Sequence, residues 1–159
     1  MKKVNANDLA EEHWSSPKGK FVGAGKELSI ALRQASGSDG ASHNHPFDVE
    51  ILRIPAGQTP YLYHSHSAQW EFYFVLSGTG SVRDETGNTP IVTGDAFIFG
   101  PGEAHQLFND TSEDLVICVV ADNPVGESSY YPDTKKWLVR SPERRIIRSE
   151  PLDYFDGEE

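Results

Sequence analysis

The middle of the chain contains short runs in which hydrophobic and polar residues alternate, and glycine, proline or asparagine separates one run from the next. Alternation with a period of two is typical of β-strands that have one face in the core. The runs that we predict as strands are residues 47–54, 71–76, 81–84, 89–93 and 115–120. Many short strands joined by Gly and Pro turns indicate an all-β sandwich or barrel.

The flanking segments have weaker patterns. A short helix is predicted at residues 7–14, where Asn7 or Asp8 can cap the N-terminus and acidic residues follow in the first turn. Residues 21–35 alternate loosely between glycines, which predicts strands that enter the sheet. Near the other end, residues 137–147 are predicted to add one further strand.

Length and composition favour one globular domain. A chain of 159 residues with 37% hydrophobic and 11% aromatic content can bury a core. We divide it into an N-terminal arm at 1–46, a barrel core at about 47–121 and a C-terminal extension at 122–159. The net charge of -10 and the pI near 5.0 argue against a nucleic-acid partner, because a phosphate backbone would be repelled.

Cysteine content and hydrophobic run length predict a cytoplasmic protein without a membrane partner. The single cysteine, Cys118, excludes an intrachain disulfide and fits a buried, inert thiol in a reducing compartment. The start of the sequence lacks an apolar signal core. The longest apolar run, at residues 115–121, is too short to span a bilayer.

Three histidines and a glutamate in the strand-like region are the candidate metal ligands. His64 and His66 alternate in extended sequence, so their side chains can point the same way. Glu71 opens the next predicted strand, and His105 follows a Pro-Gly turn. Imidazole and carboxylate groups at such spacing predict a metal site, the alternative being that all four are ordinary polar strand residues.

These motifs resemble those of the cupin superfamily. The first motif is matched by Gly57, His64-x-His66, Glu71 and Gly78, with one extra residue after the first glycine. The second is matched by Gly94, Gly102, His105 and Asn109, with Pro101 one position late. The resemblance implies a double-stranded β-helix, or jelly-roll barrel, that binds a metal inside its mouth. Together with a later Tyr-Pro-Asp-x-x-Lys segment, it points to small bacterial single-domain cupins whose function is largely unassigned.

The resemblance leaves two functions open, an enzyme and a non-catalytic binding protein. Three neutral imidazoles and one carboxylate around a divalent ion leave a net charge of about +1, which favours an anionic oxygen ligand. Manganese, iron, zinc, nickel or copper would suit these donors. We therefore expect a metal-dependent enzyme acting on a small oxygen-rich anion, of the dioxygenase, decarboxylase or isomerase type. The alternative is non-catalytic binding of a small molecule or sugar, which the lack of an obvious further acid or base favours slightly.

Other residues are weaker candidates for the cavity. Tyr73 shares the face of Glu71, although an aromatic residue there is more often barrel filling than a proton donor. Gln69 can orient a ligand. Arg53 can bind a carboxylate at the mouth, although an arginine on the outer face of the strand is the expected arrangement. Tyr61 and Tyr63 can also reach the mouth.

A second His-x-His pair, His43 and His45, lies in a turn-rich segment without a strand pattern. Pro46 follows directly, so a loop is predicted in preference to a ligand site.

An outward aromatic row formed by Phe72 and Phe74, together with the apolar run at residues 115–120, predicts a homodimer. The alternative is that the N-terminal arm or residues 137–147 cover this row within one chain.

Overall fold

The computed structural model describes residues 1–34, 46–140, 143–148 and 150–158. This part of the chain contains a 3-10 helix at Ala6–Asp8, one α-helix, α1 (Leu28–Gln34), and a series of short strands. In chain order the strands are β1 (Glu12–Ser15), β2 (Val22–Glu27), β3 (Phe47–Ile54), β4 (Ser65–His66), β5 (Glu71–Ser77), β6 (Thr79–Arg83), β7 (Asn88–Val92), β8 (Ala96–Phe99), β9 (Gln106–Phe108), β10 (Leu115–Asp122), β11 (Ser128–Tyr131), β12 (Lys136–Val139) and β13 (Arg145–Ile147).

The described strands form three antiparallel sheets. The largest has the order β1-β2-β3-β10-β5-β8, and smaller sheets have the orders β13-β12-β11-β4 and β7-β6-β9. Strand β10 lies between β3 and β5, so it is an interior strand of the largest sheet. This all-β arrangement confirms the predicted fold class.

The core lies on the inner face of the largest sheet. Neighbouring strands β3, β5 and β10 contribute fully buried aliphatic residues, which are Leu52, Ile54, Val75, Leu115 and Ile117. Removal of each such side chain from water stabilises the fold by about 1.5–3 kcal/mol. The same face continues into the candidate metal centre.

Strand β5 shows how the alternating pattern is used. Tyr73 and Val75 are buried on its inner face, whereas Phe72, Phe74 and Leu76 are more than a third exposed on its outer face. Both sets are apolar, so one strand serves the core and also presents an aromatic surface. The predicted division of this strand is therefore correct.

Gly80 is required where β6 passes close to its neighbours. A Cβ atom at this buried position would lie 2.5 Å from the Phe108 carbonyl oxygen and 2.7 Å from a methyl group of Leu115. No real side chain tolerates both contacts without a shift of the backbone. The close approach of the sheet β7-β6-β9 to the core therefore depends on glycine at position 80.

The predicted helix at residues 7–14 is wrong. Only Ala6–Asp8 forms a short 3-10 turn, capped by the Asn5 side chain, which accepts a hydrogen bond from the Asn7 amide. The following residues form β1, which pairs with β2. The Trp14 indole donates to the Pro60 carbonyl at 3.1 Å, so a long-range contact outweighs the local helix preference.

The prediction for residues 21–35 is correct only in its first half. Val22–Glu27 is strand β2, but Leu28–Gln34 is helix α1. Its sequence, LSIALRQ, consists largely of good helix formers. Ser29 is buried and its hydroxyl accepts a hydrogen bond from the Val49 amide, which attaches the helix to β3. The residues His43 and His45 lie outside the described part of the chain.

The C-terminal extension forms more structure than the single strand predicted at residues 137–147. Lys136–Val139 and Arg145–Ile147 are two antiparallel strands, β12 and β13. Strand β11 pairs on one side with β12 and on the other with β4, the strand that carries His66. The extension therefore reaches the candidate metal centre. None of the helices in the described ranges is long and apolar enough to cross a membrane.

Candidate metal centre

The local backbone brings the four predicted ligand residues together. His64 and His105 face each other in an isolated antiparallel bridge, with backbone N–H···O distances of 3.1 and 2.8 Å. Their ring centroids are 4.9 Å apart, and the His64 and His66 rings are 5.0 Å apart. Glu71 approaches from the start of β5. Residues distant in sequence thus converge because β-strand pairing places them side by side.

The distances between potential ligand atoms are compatible with one shared ion. The donor atoms of His64, His66 and Glu71 all lie within 4.8 Å of one another, so this cluster could hold a metal. The Glu71 Oε2 atom also lies 3.0 Å from His105 Nε2 and 3.4 Å from His66 Nε2. The cluster therefore consists of His64, His66 and Glu71, and His105 adjoins it through its contact with Glu71.

Each imidazole is oriented by an oxygen acceptor at its Nδ1 atom. Nδ1 lies 2.7 Å from the Leu62 carbonyl in His64, 2.9 Å from Glu127 Oε1 in His66 and 3.2 Å from the Glu103 carbonyl in His105. Carbonyl and carboxylate oxygens cannot donate, so Nδ1 carries the proton in each ring. In the neutral form, Nε2 is then the bare nitrogen that can bind a metal.

The charge on Glu71 is stabilised by its neighbours. Burial alone would raise the pKa of its carboxyl, but the adjacent His105 and His66 rings outweigh burial and hold the pKa well below 4.5. Burial would lower the pKa of His66, yet the carboxylates of Glu71 and Glu127 outweigh burial and raise it. A metal ion would therefore replace a proton at His66 and meet a carboxylate that is already ionised.

The pKa of His64 is shifted in the opposite direction from that of His66. Burial and the nearby His105 lower the pKa of His64 from 6.5 to about 4. Its imidazole is therefore neutral at pH 7, which is the state that a metal ligand requires.

The cluster contains more hydrogen-bond acceptors than hydrogen-bond donors. With the rings neutral, Glu71 and the three bare Nε2 atoms are all acceptors, and the Tyr73 hydroxyl, 3.0 Å from both Glu71 Oε2 and His105 Nε2, is the facing donor. The His66 Nε2 atom is buried without a hydrogen-bond partner among the described residues. A cation satisfies such a set of acceptors, so the residues present fit a divalent metal.

Tyr73 belongs to this cluster rather than only to the barrel core. Its ring packs against Phe97 at 5.1 Å between centroids, and its hydroxyl faces the ligand atoms. Burial and the charge of Glu71 raise its pKa well above 10, so the hydroxyl keeps its proton and remains a donor. The weaker candidate from the sequence thus lies at the centre of the site.

A cavity of about 300 Å³ opens beside the cluster. Gln69 and Tyr61 line it, as the sequence suggested. The Gln69 amide group donates to the Asp122 carbonyl, so this side chain is held in place by β10. Tyr61 stacks on Trp14 with 5.3 Å between ring centroids, which fixes one wall of the cavity.

Two other candidates lie elsewhere. The Arg53 guanidinium forms ion pairs with Glu11 at 2.6 Å and Asp114 at 2.9 Å on the outside of the barrel, so it does not take part in the cavity. The Tyr63 ring is covered by the Arg83 guanidinium at 3.9 Å and lines a different cavity. Strand parity explains the position of Arg53, because it lies between the inward residues Leu52 and Ile54 of β3 and so points to the outer face.

Sequence reasoning missed three charged residues of the site. Glu127 is buried and binds His66, although it lies in the extension. Glu50 and Arg140 line the cavity. Burial and a hydrogen bond with Glu27 raise the pKa of Glu50 from 4.5 to about 8. No motif marked these positions, but the strand period did place Glu50 on the same face as the buried Leu52 and Ile54.

The fold and the cluster define the class of this protein. A cupin domain model matches residues 50–121, the segment that contains all four candidate ligands. The chain is also 31% identical over 118 residues to an oxalate-binding protein of Thermotoga maritima, a match that covers 74% of this chain and 90% of the relative. The chain therefore belongs to the cupin family.

Two solved structures are similar over nearly the whole chain. One is a protein of Acidithiobacillus ferrooxidans, provisionally named a sugar phosphate isomerase, with 25% identity, 92% coverage of both chains and a TM-score of 0.77. The other is a sugar phosphate isomerase of the cupin superfamily from Silicibacter pomeroyi, with 24% identity, coverage of 96% of this chain and 97% of that one, and a TM-score of 0.75. The second likeness supports the fold alone.

Proposed function

We propose that this protein is a metal-dependent enzyme that acts on a small oxygen-rich anion. In this proposal His64, His66, Glu71 and His105 hold one divalent ion. The observation that supports it best is the cluster of His64, His66 and Glu71, which His105 and the Tyr73 hydroxyl both adjoin through Glu71.

A divalent ion at this position would polarise an oxygen atom of a bound substrate or lower the pKa of a bound water molecule. The imidazole and carboxylate donors suit manganese, iron, zinc, nickel or copper without selecting one of them. The protein's own contribution is to keep Glu71 ionised, to hold the rings in one orientation, and to present the Tyr73 proton to the occupant of the centre.

The cavity supports a small ligand with two adjacent oxygen atoms. Its volume of about 300 Å³ suits a dicarboxylate or a 2-oxo acid, and the apolar residues Leu52 and Val119 form part of its wall. Relatives named for oxalate binding and, provisionally, for sugar phosphate isomerisation are consistent with an oxygen-rich anion. The Arg140 side chain at the cavity adds a cation that can face a negative group.

Proton-carrying groups in the cavity favour catalysis over simple binding. Tyr73 holds its hydroxyl proton, and burial raises the pKa of Glu50 from 4.5 to about 8 in the metal-free protein, so both groups can take part in proton transfer. Decarboxylation leaves a carbanion that must be protonated, and isomerisation moves a proton between carbon atoms. These two reactions use such groups, so they are favoured over dioxygenation.

The alternative is a non-catalytic cupin that binds a small molecule or sugar. The carboxyl groups of Glu27 and Asp48 also line the cavity and can accept hydrogen bonds from sugar hydroxyls. The relative named as an oxalate-binding protein supports binding as a function in its own right.

Metal content provides the first test. Element analysis of the purified protein should find about one divalent ion per chain. His66→Ala and Glu71→Gln should lose most of the metal, whereas His13→Ala, which removes a surface histidine paired with Glu11, should keep it. A His66→Ala or Glu71→Gln variant with full metal content would contradict the proposed ligand set.

Ligand choice provides the second test. Oxalate and glucose are titrated into the metal-loaded protein and followed by calorimetry, and small 2-oxo acids and dicarboxylates are then screened for turnover. Oxalate should bind more tightly, because two carboxylate oxygens can fill adjacent positions at a cation and neutral hydroxyls coordinate weakly. Equal or stronger binding of glucose, without turnover of any acid, would favour the binding function.

We further propose that the protein works as a homodimer. On the outer face of the largest sheet, Phe72, Phe74 and Leu76 of β5 are exposed, and Ile98 of β8 is the register partner of Phe72. Exposed apolar side chains on adjacent strands are typical of a surface that a protein partner covers. A second copy of the chain can bury the same surface reciprocally.

A further inference from the structure

The C-terminal extension inserts one buried carboxylate beside the candidate metal centre. Glu127 directly precedes β11, and its side chain is only 2% exposed. It accepts four hydrogen bonds, from His66 Nδ1 at 2.9 Å and from the backbone amides of Ser67, Ala68 and Gln69 at 3.3, 2.9 and 2.9 Å. A buried carboxylate that binds four donors is fully satisfied without any metal.

The contacts of Glu127 fix the backbone of a turn as well as the His66 ring. The three amides belong to the turn that leads from β4 to β5, so the carboxylate also determines the path of the chain from His66 to Glu71. Consecutive amides around one anion form a concave site whose geometry is rigid. The Ser128 amide donates in return to the Ser67 hydroxyl at 2.9 Å, which attaches the extension to the same turn.

We propose that Glu127 is a positioning residue for the metal centre, which holds His66 with Nε2 facing Glu71 and sets the spacing between these two ligands. The inference rests on the metal-binding part of the proposed function. Its independent support is the Nε2 atom of His66, which is buried and has no hydrogen-bond partner of its own. A flipped His66 ring would lose the Glu127 bond, so the carboxylate selects the orientation that exposes Nε2 to the centre.

The role of Glu127 differs from that of a ligand. Its Oε1 atom is bound to Nδ1, on the far side of the ring from Nε2, and its Oε2 atom is bound to the amides of Ala68 and Gln69. Both oxygens are therefore engaged away from the centre. Loss of the carboxylate should weaken metal binding by about 10–100-fold, the usual effect of removing an outer partner of a metal-binding histidine.

The test compares Zn²⁺ affinity in wild type, Glu127→Gln and Asp133→Asn, measured by competition with a chromophoric chelator at a temperature where far-UV circular dichroism shows all three folded. Glu127→Gln presents an amide group to backbone N–H donors and should bind Zn²⁺ about 10–100-fold more weakly. Asp133→Asn removes a carboxylate of the same extension that pairs with Arg83, and it should bind like wild type. Equal Zn²⁺ affinity in wild type and Glu127→Gln would overturn the inference.

Nitrogen NMR of wild type keeps the test decisive if Glu127→Gln does not fold. The His66 Nδ1 proton should persist in both the zinc-free and the zinc-loaded protein, because Glu127 accepts it in both states. An Nδ1 that loses its proton on zinc binding would refute the positioning role. If wild type binds no Zn²⁺ at all, the proposed metal function fails, and the zinc-free spectrum alone still decides whether Glu127 fixes the His66 tautomer.

Discussion

Replacement of Glu50 by glutamine should make the protein less sensitive to alkaline pH. Glu50 of β3 is the register partner of Glu27 in β2, and it faces the same cavity as Asp48 and Glu71, with Arg140 as the nearby cation. Burial, a hydrogen bond with Glu27 and these negative charges raise the pKa of Glu50 from 4.5 to about 8. The folded protein therefore holds a proton that the unfolded chain releases.

The sign of the effect follows from this proton. Below about pH 4.5 both states are protonated, so Glu50 contributes no pH dependence. Between about pH 4.5 and 8 the folded state binds the additional proton, and the free energy of unfolding falls as the pH rises. One pKa unit corresponds to about 1.4 kcal/mol, which gives an upper limit of about 5 kcal/mol, and solvent at the cavity mouth reduces the expected loss to about 2–3 kcal/mol.

Urea unfolding at pH 5.5, 7 and 9 measures this loss. EDTA is present to remove any bound cation, because a cation beside Glu71 would lower the Glu50 pKa. Glu50→Gln should be about 2–3 kcal/mol more stable than wild type at pH 9 and should show a flatter profile. The matched control is Glu85→Gln, an exposed carboxylate in the β6–β7 turn, which should follow wild type. Parallel profiles for wild type and Glu50→Gln would refute the argument.

Three further predictions concern packing, assembly and ligand binding. Gly80→Ala should lower the free energy of unfolding by about 1–3 kcal/mol, because the added methyl group meets Phe108. The exposed control Thr79→Ala should stay near wild type in the same urea assay, and equal stability of Gly80→Ala and wild type would contradict the close approach. Light scattering at micromolar concentration should give twice the chain mass of 17.6 kDa for wild type and the monomer mass for Phe74→Glu, and a monomeric wild type would refute the dimer. At pH 9 the metal-loaded Glu50→Gln variant should bind oxalate about tenfold more tightly than the wild type in calorimetry, because the wild-type Glu50 carboxylate faces the same cavity, and equal affinities would contradict that effect.

The alternation of residues predicted several strands well, and the motifs selected four candidate ligands that lie close together, although the ligand set itself stays a prediction. Strand β3 has the predicted bounds, and the inward positions of Glu71 and Tyr73 follow from the period of two. His64 and His105 could be associated only through the spacing of two motifs, because the bridge that joins them is a tertiary contact. Local pattern and family resemblance together were therefore sufficient to select these four residues as candidates.

The rest of the site depends on contacts that no local pattern contains. Residues 12–15 form a strand instead of the predicted helix, and the Trp14 side chain in this strand binds the Pro60 carbonyl, 46 residues away. Glu127 is 61 residues from His66, and an acidic residue in a loop is usually solvated, so nothing in its neighbourhood marked it as buried. Arg53 formed ion pairs with Glu11 and Asp114 instead of reaching the mouth, since the pairing of β3 with β10 places it on the outer face.

The position of Glu127 in the chain also determines when the centre can be completed during synthesis. His66 leaves the ribosome 61 residues before Glu127, an interval of roughly 3–12 s at 5–20 residues per second. Throughout that interval the ring lacks the acceptor for its Nδ1 proton, and β4 lacks its partner β11. We therefore expect the nascent barrel to bind metal weakly and to reach full affinity only after the extension docks, so that metal capture is a late step of folding.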